Sequence, residues 1–274
     1  MYKTIISTQK LSTMLGQPAV CIVDCRFALA DTQAGRKAYE AAHIPGAVYA
    51  HLDDDLSGTI TPGVTGRHPL PSVQKLRQLF SAWGIDEKVQ VIVYDDKGGG
   101  IAARLWWMLR WMGHENVAVL DGGWPKWKAE NLPVADEVEQ RRGRVFVPQV
   151  QEGAYIDRDV VEVNRLSPNH VVVDSRTTAR YRGEEEPIDP IAGHIDGAIN
   201  APFTENLTAD GVFKSKKILR ERFEQLLKDK APTQVTFYCG SGVTACHNLL
   251  AMEYAGFRGA KLYPGSWSEW LLQL

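Results

Sequence analysis

The fold is organised around the stretch Val235-Thr236-Phe237-Tyr238-Cys239-Gly240-Ser241-Gly242-Val243-Thr244-Ala245-Cys246. It begins with β-branched and aromatic residues, which favour a strand, and it is interrupted by two glycines. Apolar side chains then recur at Val243, Cys246 and Leu250, which is the spacing of one helix face. The pattern predicts a strand, a tight loop and a helix. Cys239 lies at the carboxyl end of the strand, where open parallel sheets form their sites.

Cys239 is a candidate nucleophile. The two glycines allow the backbone N–H groups of the loop to turn toward one point, and the helix that follows adds its dipole, so the loop favours an anion such as a thiolate. No Lys, Arg, Asp or Glu occurs between Val235 and Met252. We therefore expect peptide dipoles, or residues distant in sequence, to stabilise the thiolate, rather than cations that neighbour it in the chain. The alternative is a small buried apolar residue, which is the role predicted for Cys246 on the helix face.

The composition excludes several classes of protein. The chain has 274 residues, 44% of them hydrophobic, and a net charge of −2, with no basic run suited to a nucleic acid backbone. No segment is apolar and long enough to cross a membrane, and the amino-terminal residues lack the apolar core of a signal peptide. The four cysteines show no C-x-x-C spacing, which predicts reduced thiols and neither a zinc site nor a dithiol redox motif. These features predict a soluble protein of the cytoplasm.

The chain contains an internal repeat. Four blocks of the first half recur in the same order in the second half, at a nearly constant offset. The matching pairs are Val23–Arg26 with Val173–Arg176, His43–Ala47 with His194–Ala198, Val93–Asp95 with Phe237–Cys239, and Gly122–Trp127 with Gly265–Trp270. We therefore predict two related domains, residues 1–130 and 156–274, joined by a linker at residues 131–155.

Each copy alternates short β runs with helical patterns, which predicts a parallel sheet with helices on both faces. The predicted strands are Val20–Asp24, Val89–Asp95, Val117–Leu120, Val171–Asp174, Val235–Tyr238 and Lys261–Tyr263, and the predicted helices are Pro71–Trp83, Ile101–Met112, Ser215–Lys228 and Val243–Ala255.

The loop Cys239-Gly240-Ser241-Gly242-Val243-Thr244 resembles the active-site loop of the rhodanese superfamily, specifically that of its two-domain 3-mercaptopyruvate and thiosulfate sulfurtransferases. The resemblance implies tandem rhodanese-like domains and a Cys239 persulfide that moves sulfur from a small-molecule donor to a thiol or cyanide. A thioredoxin-like protein is one such thiol acceptor, and no cofactor or metal is implied. In the first copy Asp95 replaces the cysteine, so that copy is expected to be inactive and to form a wall of the cleft.

The resemblance also assigns substrate-binding residues. Gly240, Gly242, Val243 and Thr244 belong to the loop, and Arg180 matches the arginine that binds the donor. Members that use mercaptopyruvate often carry a second arginine in a Glu-Pro-Arg segment. Here Ile188 stands at that position, and Arg182 is a candidate substitute.

The resemblance assigns proton transfer to Ser241, acting with a histidine and an aspartate of the first domain, which we match to His43 and Asp31. The alternative for His43 is a turn-stabilising role, because its repeat partner His194 has the same local context. The segment Gly66–Pro71 is predicted to be a loop leading into a helix, and the sequence leaves open whether Arg67 and His68 line the cleft.

Three functions remain open after these assignments. The loop lacks the basic residues that suit thiosulfate, which favours 3-mercaptopyruvate as the donor. The alternatives are a thiosulfate-preferring rhodanese and a non-catalytic persulfide carrier or sensor. The sequence disfavours a cysteine phosphatase, because that chemistry needs an arginine six positions after the cysteine and this chain has Ala245 there.

Overall fold

The computed structural model describes residues 1–138 and 140–274, which form two compact units. The first unit comprises Met1–Gly58, Pro71–Gln151 and Ala209–Val212, and the second comprises Thr59–Leu70, Glu152–Thr208 and Phe213–Leu274. The residues predicted as a linker, 131–155, divide between the units after Gln151, and Glu139 among them lies outside the described residues. Within the described part of the chain, no helix is both long enough and apolar enough to cross a membrane.

The first unit contains a five-stranded parallel sheet with the strand order β1-β5-β4-β2-β3. Its central strands are buried along their whole length, as expected for a sheet covered on both faces. Its elements are β1 (Ile5–Ile6), α1 (Thr8–Ser12), β2 (Val20–Asp24), α2 (Ala34–Ala41), β3 (Ala47–Tyr49), α3 (Val73–Ala82), β4 (Gln90–Tyr94), α4 (Ala102–Trp111), β5 (Val117–Leu120) and α5 (Gly123–Ala129).

The second unit contains a four-stranded parallel sheet with the order β7-β6-β8-β9. Its elements are α6 (Arg158–Asn164), β6 (Val171–Asp174), α7 (Thr178–Arg182), β7 (Ile199–Asn200), α8 (Lys216–Leu227), β8 (Val235–Tyr238), α9 (Ala245–Ala255), β9 (Lys261–Leu262) and α10 (Ser266–Trp270), with 3₁₀ helices at Phe203–Asn206, Pro232–Gln234 and Leu271–Gln273. The strand order matches that of β3, β2, β4 and β5 in the first unit. The predicted duplication of an α/β domain is therefore confirmed.

A buried ion pair is repeated in the two units. Arg176 donates from Nη2 to Asp174 Oδ2 at 2.6 Å and to the carbonyl of Gly193 at 2.6 Å. Arg26 makes the same pair with Asp24 at 2.6 Å. Each aspartate ends a central strand, so the pair joins the strand to the loop that follows it. Its presence in both copies assigns the Val-Asp-x-Arg block to the fold rather than to the chemistry.

Candidate active site

Cys239 directly follows β8, at the carboxyl edge of the second sheet. Its backbone is held on both sides: the N–H donates to Ser266 Oγ at 3.1 Å, and the carbonyl accepts from the N–H of Trp267 at 3.0 Å. Only 2% of the residue is exposed. Helix α9 begins six residues later, at Ala245, so the loop predicted from the sequence joins this strand to this helix.

Gly242 determines the shape of this loop. Its φ is +73°, and a Cβ at this position would lie 2.4 Å from the carbonyl oxygen of Pro264, so only glycine fits. Among the described residues, the backbone N–H groups of Ser241, Val243 and Thr244 donate to no acceptor. The loop therefore has amide donors available for an anion.

The first unit shows what the corresponding loop does with such donors. Asp95, which stands where Cys239 does, accepts four backbone N–H groups at 2.7 to 2.8 Å. The donors are those of Lys97, Gly99, Ile101 and Ala102. In this strand–loop–helix arrangement, backbone amides thus surround an anionic side chain at the end of the strand.

Arg180 lies on α7, near the loop of Cys239. It donates to Glu186 from Nη2 at 2.6 Å and from Nε at 3.2 Å, and Nη2 also lies 3.2 Å from Asp189 Oδ2. Burial raises the pKa of Glu186, but the hydrogen bond from Arg180 and those from nearby backbone N–H groups outweigh it, so the pKa lies below its ordinary value. Glu186 therefore stays ionised and holds the guanidinium in place.

Arg67 supplies a second guanidinium that the sequence did not assign. Its Nη1 donates to Asp189 Oδ1 at 2.5 Å, and its backbone N–H donates to Ser268 Oγ at 3.0 Å. A Cβ on Gly240 would lie 3.2 Å from Arg67 Nη2 and 3.6 Å from Arg180 Nη2. Two cations that are distant in sequence thus converge on the residue next to Cys239, in addition to the loop dipoles expected from the sequence.

Arg182, the expected substitute for a second arginine, is placed differently. Its side chain is 63% exposed and lies 3.6 Å from Glu184. Ile188 is also partly exposed. The second guanidinium near the loop therefore comes from Arg67, far away in the sequence.

Ser241 is paired with a histidine other than the one expected. Its Oγ lies 2.7 Å from Nδ1 of His68, and the two residues are only 6% and 3% exposed. Both residues belong to the second unit. A buried hydroxyl and imidazole at this distance can relay a proton two residues from the cysteine.

His43, which the sequence matched to Ser241, instead serves the fold of the first unit. It is fully buried, its Nδ1 lies 2.6 Å from the carbonyl of Tyr39, and its ring stacks on that of Tyr39. His194 repeats this arrangement on Tyr181 in the second unit, with an Nδ1–O distance of 2.7 Å. The turn-stabilising alternative accounts for His43, and His68 takes its place beside Ser241.

Asp31 lies at the surface of the first unit. Its side chain is 57% exposed, it accepts the N–H of Gln33 at 3.0 Å, and it lies 3.8 Å from Lys37. These contacts shape the turn before α2. Asp31 has no contact with His43 among those found in the described residues.

All four cysteines are free thiols. Burial, followed by the nearby carboxylates of Asp24, Asp95 and Asp55, raises the pKa of Cys25 well above its ordinary value. Cys25 is therefore protonated and unreactive. In the described part of the chain, no group of three or more His, Cys, Asp or Glu side chains is arranged to hold a metal ion.

The model of the rhodanese-like domain matches the chain twice, at residues 7–130 and 159–273. The chain belongs to the rhodanese family. A probable 3-mercaptopyruvate sulfurtransferase of Pseudomonas aeruginosa is 44% identical to this chain over 268 residues, which cover 97% of the chain and 94% of that relative. A putative thiosulfate sulfurtransferase, SseB of Mycobacterium tuberculosis, is 38% identical over 98% of the chain and 94% of its own length.

Among solved structures, this chain is similar to SseA from Escherichia coli, a 3-mercaptopyruvate sulfotransferase. The two superpose with a TM-score of 0.83 at 28% identity, covering 98% of this chain and all of SseA. The predicted family and the tandem fold are confirmed by these comparisons.

Proposed function

We propose that this member of the rhodanese family is a sulfurtransferase that moves sulfur from 3-mercaptopyruvate, through a persulfide on Cys239, to a thiol or cyanide. The observation that carries the proposal is the convergence of Arg67 and Arg180 on the loop of Cys239, because two guanidiniums suit an anionic donor. The names of the relatives from P. aeruginosa and E. coli support this donor.

In the proposed first step, the Cys239 thiolate attacks the thiol sulfur of 3-mercaptopyruvate. The carbon–sulfur bond breaks, its electron pair stays on carbon, and the leaving enolate takes up the proton of the donor thiol to become pyruvate. Ser241 and His68 relay that proton, while Arg67 and Arg180 hold the carboxylate. Cys239 is left as a persulfide anion, for which the loop N–H groups supply donors.

In the second step, an acceptor thiol gives its proton to the persulfide anion, and the resulting thiolate attacks the outer sulfur of the protonated persulfide. The sulfur–sulfur bond breaks, the acceptor leaves with the outer sulfur, and Cys239 returns to its thiolate. A thioredoxin-like protein is a suitable acceptor because it presents an exposed thiolate. We place the activity in the cytoplasm, since the second step consumes thiols and a reducing compartment keeps both the acceptor and the four free cysteines reduced.

Thiosulfate is the second candidate donor. It is favoured by the name of the M. tuberculosis relative, a putative thiosulfate sulfurtransferase, and by the ability of two guanidiniums to bind a sulfonate-like group. With thiosulfate the leaving group is sulfite, which needs no proton. A carrier without turnover would form the persulfide but would not regenerate the thiol with small acceptors.

The proposed function is tested by locating the persulfide. The protein is incubated with 3-mercaptopyruvate, alkylated and analysed by peptide mass spectrometry, and one additional sulfur is expected on the Cys239 peptide. The Cys25 peptide is the internal control and should gain none, because the pKa of that thiol is raised. Pyruvate release without sulfur at Cys239 would contradict the proposal, as would a persulfide that no thiol or cyanide can discharge.

Replacing His68 by alanine is expected to lower kcat with 3-mercaptopyruvate by about 100-fold, because the proton relay through Ser241 is lost. Thiosulfate turnover should fall much less, since sulfite leaves without a proton. His170→Ala is the control, because His170 lies near Ser167 and outside the loop contacts described above. An equal loss with the two donors would show that His68 only supports the loop.

A further inference from the structure

We propose that Asp189 determines the donor preference of the site by cancelling the charge of one guanidinium, which favours a monoanionic donor over a dianionic one. This inference rests on the proposed function and adds a residue that controls its specificity. Thiosulfate carries two negative charges, whereas 3-mercaptopyruvate carries one on its carboxylate while its thiol is neutral.

Asp189 bridges the two arginines near the loop. One carboxylate oxygen accepts from Arg67 at 2.5 Å, and the other lies 3.2 Å from Arg180. The side chain is only 2% exposed, so solvent screens these contacts weakly. Asp189 is therefore the group that sets both the spacing and the net charge of the guanidinium pair.

The bridge is part of a larger ionic network. Arg180 also pairs with Glu186, and Glu186 pairs with Arg176, which in turn pairs with Asp174. Three guanidiniums thus face three carboxylates, and the network is neutral as a whole. A donor that enters this site meets oriented N–H groups but little net positive charge. The second negative charge of a dianion therefore adds little to the free energy of binding.

Among the three carboxylates, Asp189 is the one whose charge can be removed with the least structural change. Asp174 ends a central strand, and Glu186 accepts the backbone N–H groups of Ile188 and Asp189 as well as its arginines. Within the described residues, the hydrogen bonds of the Asp189 side chain go to the two guanidiniums. Asparagine has the same shape and keeps an oxygen for one of them, so Asp189→Asn changes mainly the charge.

The test compares kcat/KM for thiosulfate and for 3-mercaptopyruvate, with cyanide as the acceptor for both. In Asp189→Asn the ratio of thiosulfate to 3-mercaptopyruvate is expected to rise about tenfold at low salt, and the gain should shrink as salt increases. Asp189→Glu keeps the charge and should keep the wild-type ratio. If Asp189 had a merely structural role, Asp189→Asn would lower kcat/KM for the two donors by the same factor and leave their ratio unchanged.

A double variant restores the charge balance of the network. Arg67 pairs with Asp189, so adding Arg67→Gln to Asp189→Asn removes the extra positive charge and should return the ratio of thiosulfate to 3-mercaptopyruvate toward the wild-type value. A ratio that does not change in Asp189→Asn, with the wild type active, would overturn the role of Asp189 alone, as would a raised ratio that Arg67→Gln does not lower. A wild type that transfers sulfur from neither donor would instead overturn the proposed function.

Discussion

Replacing Cys239 by serine is expected to reduce sulfur transfer by about 1000-fold or more with either donor. A serine hydroxyl is not ionised near neutral pH, and it cannot form the sulfur–sulfur bond that carries the transferred atom. The residual rate should equal that of donor and acceptor mixed without protein. The measurement is the rate of thiocyanate formation from cyanide, together with pyruvate release from 3-mercaptopyruvate.

The control for Cys239→Ser is Cys21→Ala. Cys21 is a buried residue of β2 in the first unit, and its loss removes a thiol without touching the Cys239 loop. This control should retain most of the activity. Thiocyanate or pyruvate production by Cys239→Ser at the wild-type rate would refute the persulfide mechanism.

Replacing Asp95 by alanine is expected to destabilise the first unit by about 3 kcal/mol or more. Four backbone N–H groups would lose the carboxylate that accepts them at 2.7 to 2.8 Å, in a loop from which the side chain is fully buried. The free energy of unfolding of Asp95→Asn should lie between those of Asp95→Ala and the wild type, because one oxygen remains as an acceptor. The measurement is denaturant-induced unfolding of the full chain, followed by tryptophan fluorescence.

Asp96→Ala is the matched control for this loss of stability. The neighbouring residue is exposed, so its replacement should change the free energy of unfolding by no more than about 0.5 kcal/mol. If Asp95→Ala lowered the free energy of unfolding no more than Asp96→Ala does, the Asp95 carboxylate would not be the anion that stabilises this loop.

The parts of the fold that the sequence predicted are those with strong local patterns. The runs Val20–Asp24, Val117–Leu120 and Val235–Tyr238 are strands with the predicted bounds, because buried parallel strands are continuously apolar. Short elements such as α7 escaped prediction. Five residues with no buried side chain leave no periodic pattern, and the helix is marked only by its cap at Thr177.

The site was predicted only where it is local in sequence. The loop of Cys239 and the arginine at position 180 could be proposed from local sequence, but Arg67 meets Asp189 across 122 positions and His68 meets Ser241 across 173. No local pattern predicts such contacts. The repeat did contain a signal. His43 has an equivalent residue, His194, in the other copy and therefore belongs to the shared fold, whereas His68 has no equivalent in the four repeated blocks.

The carboxylate of Asp95 also limits how this chain can evolve. The first copy has seven residues, 95–101, between its strand and its helix, where the second has six, 239–244. A cysteine at position 95 would meet the same four donors with one sulfur in place of two carboxylate oxygens, in a turn one residue longer than that of Cys239. A single substitution at position 95 therefore does not reproduce the loop of Cys239 in the first copy.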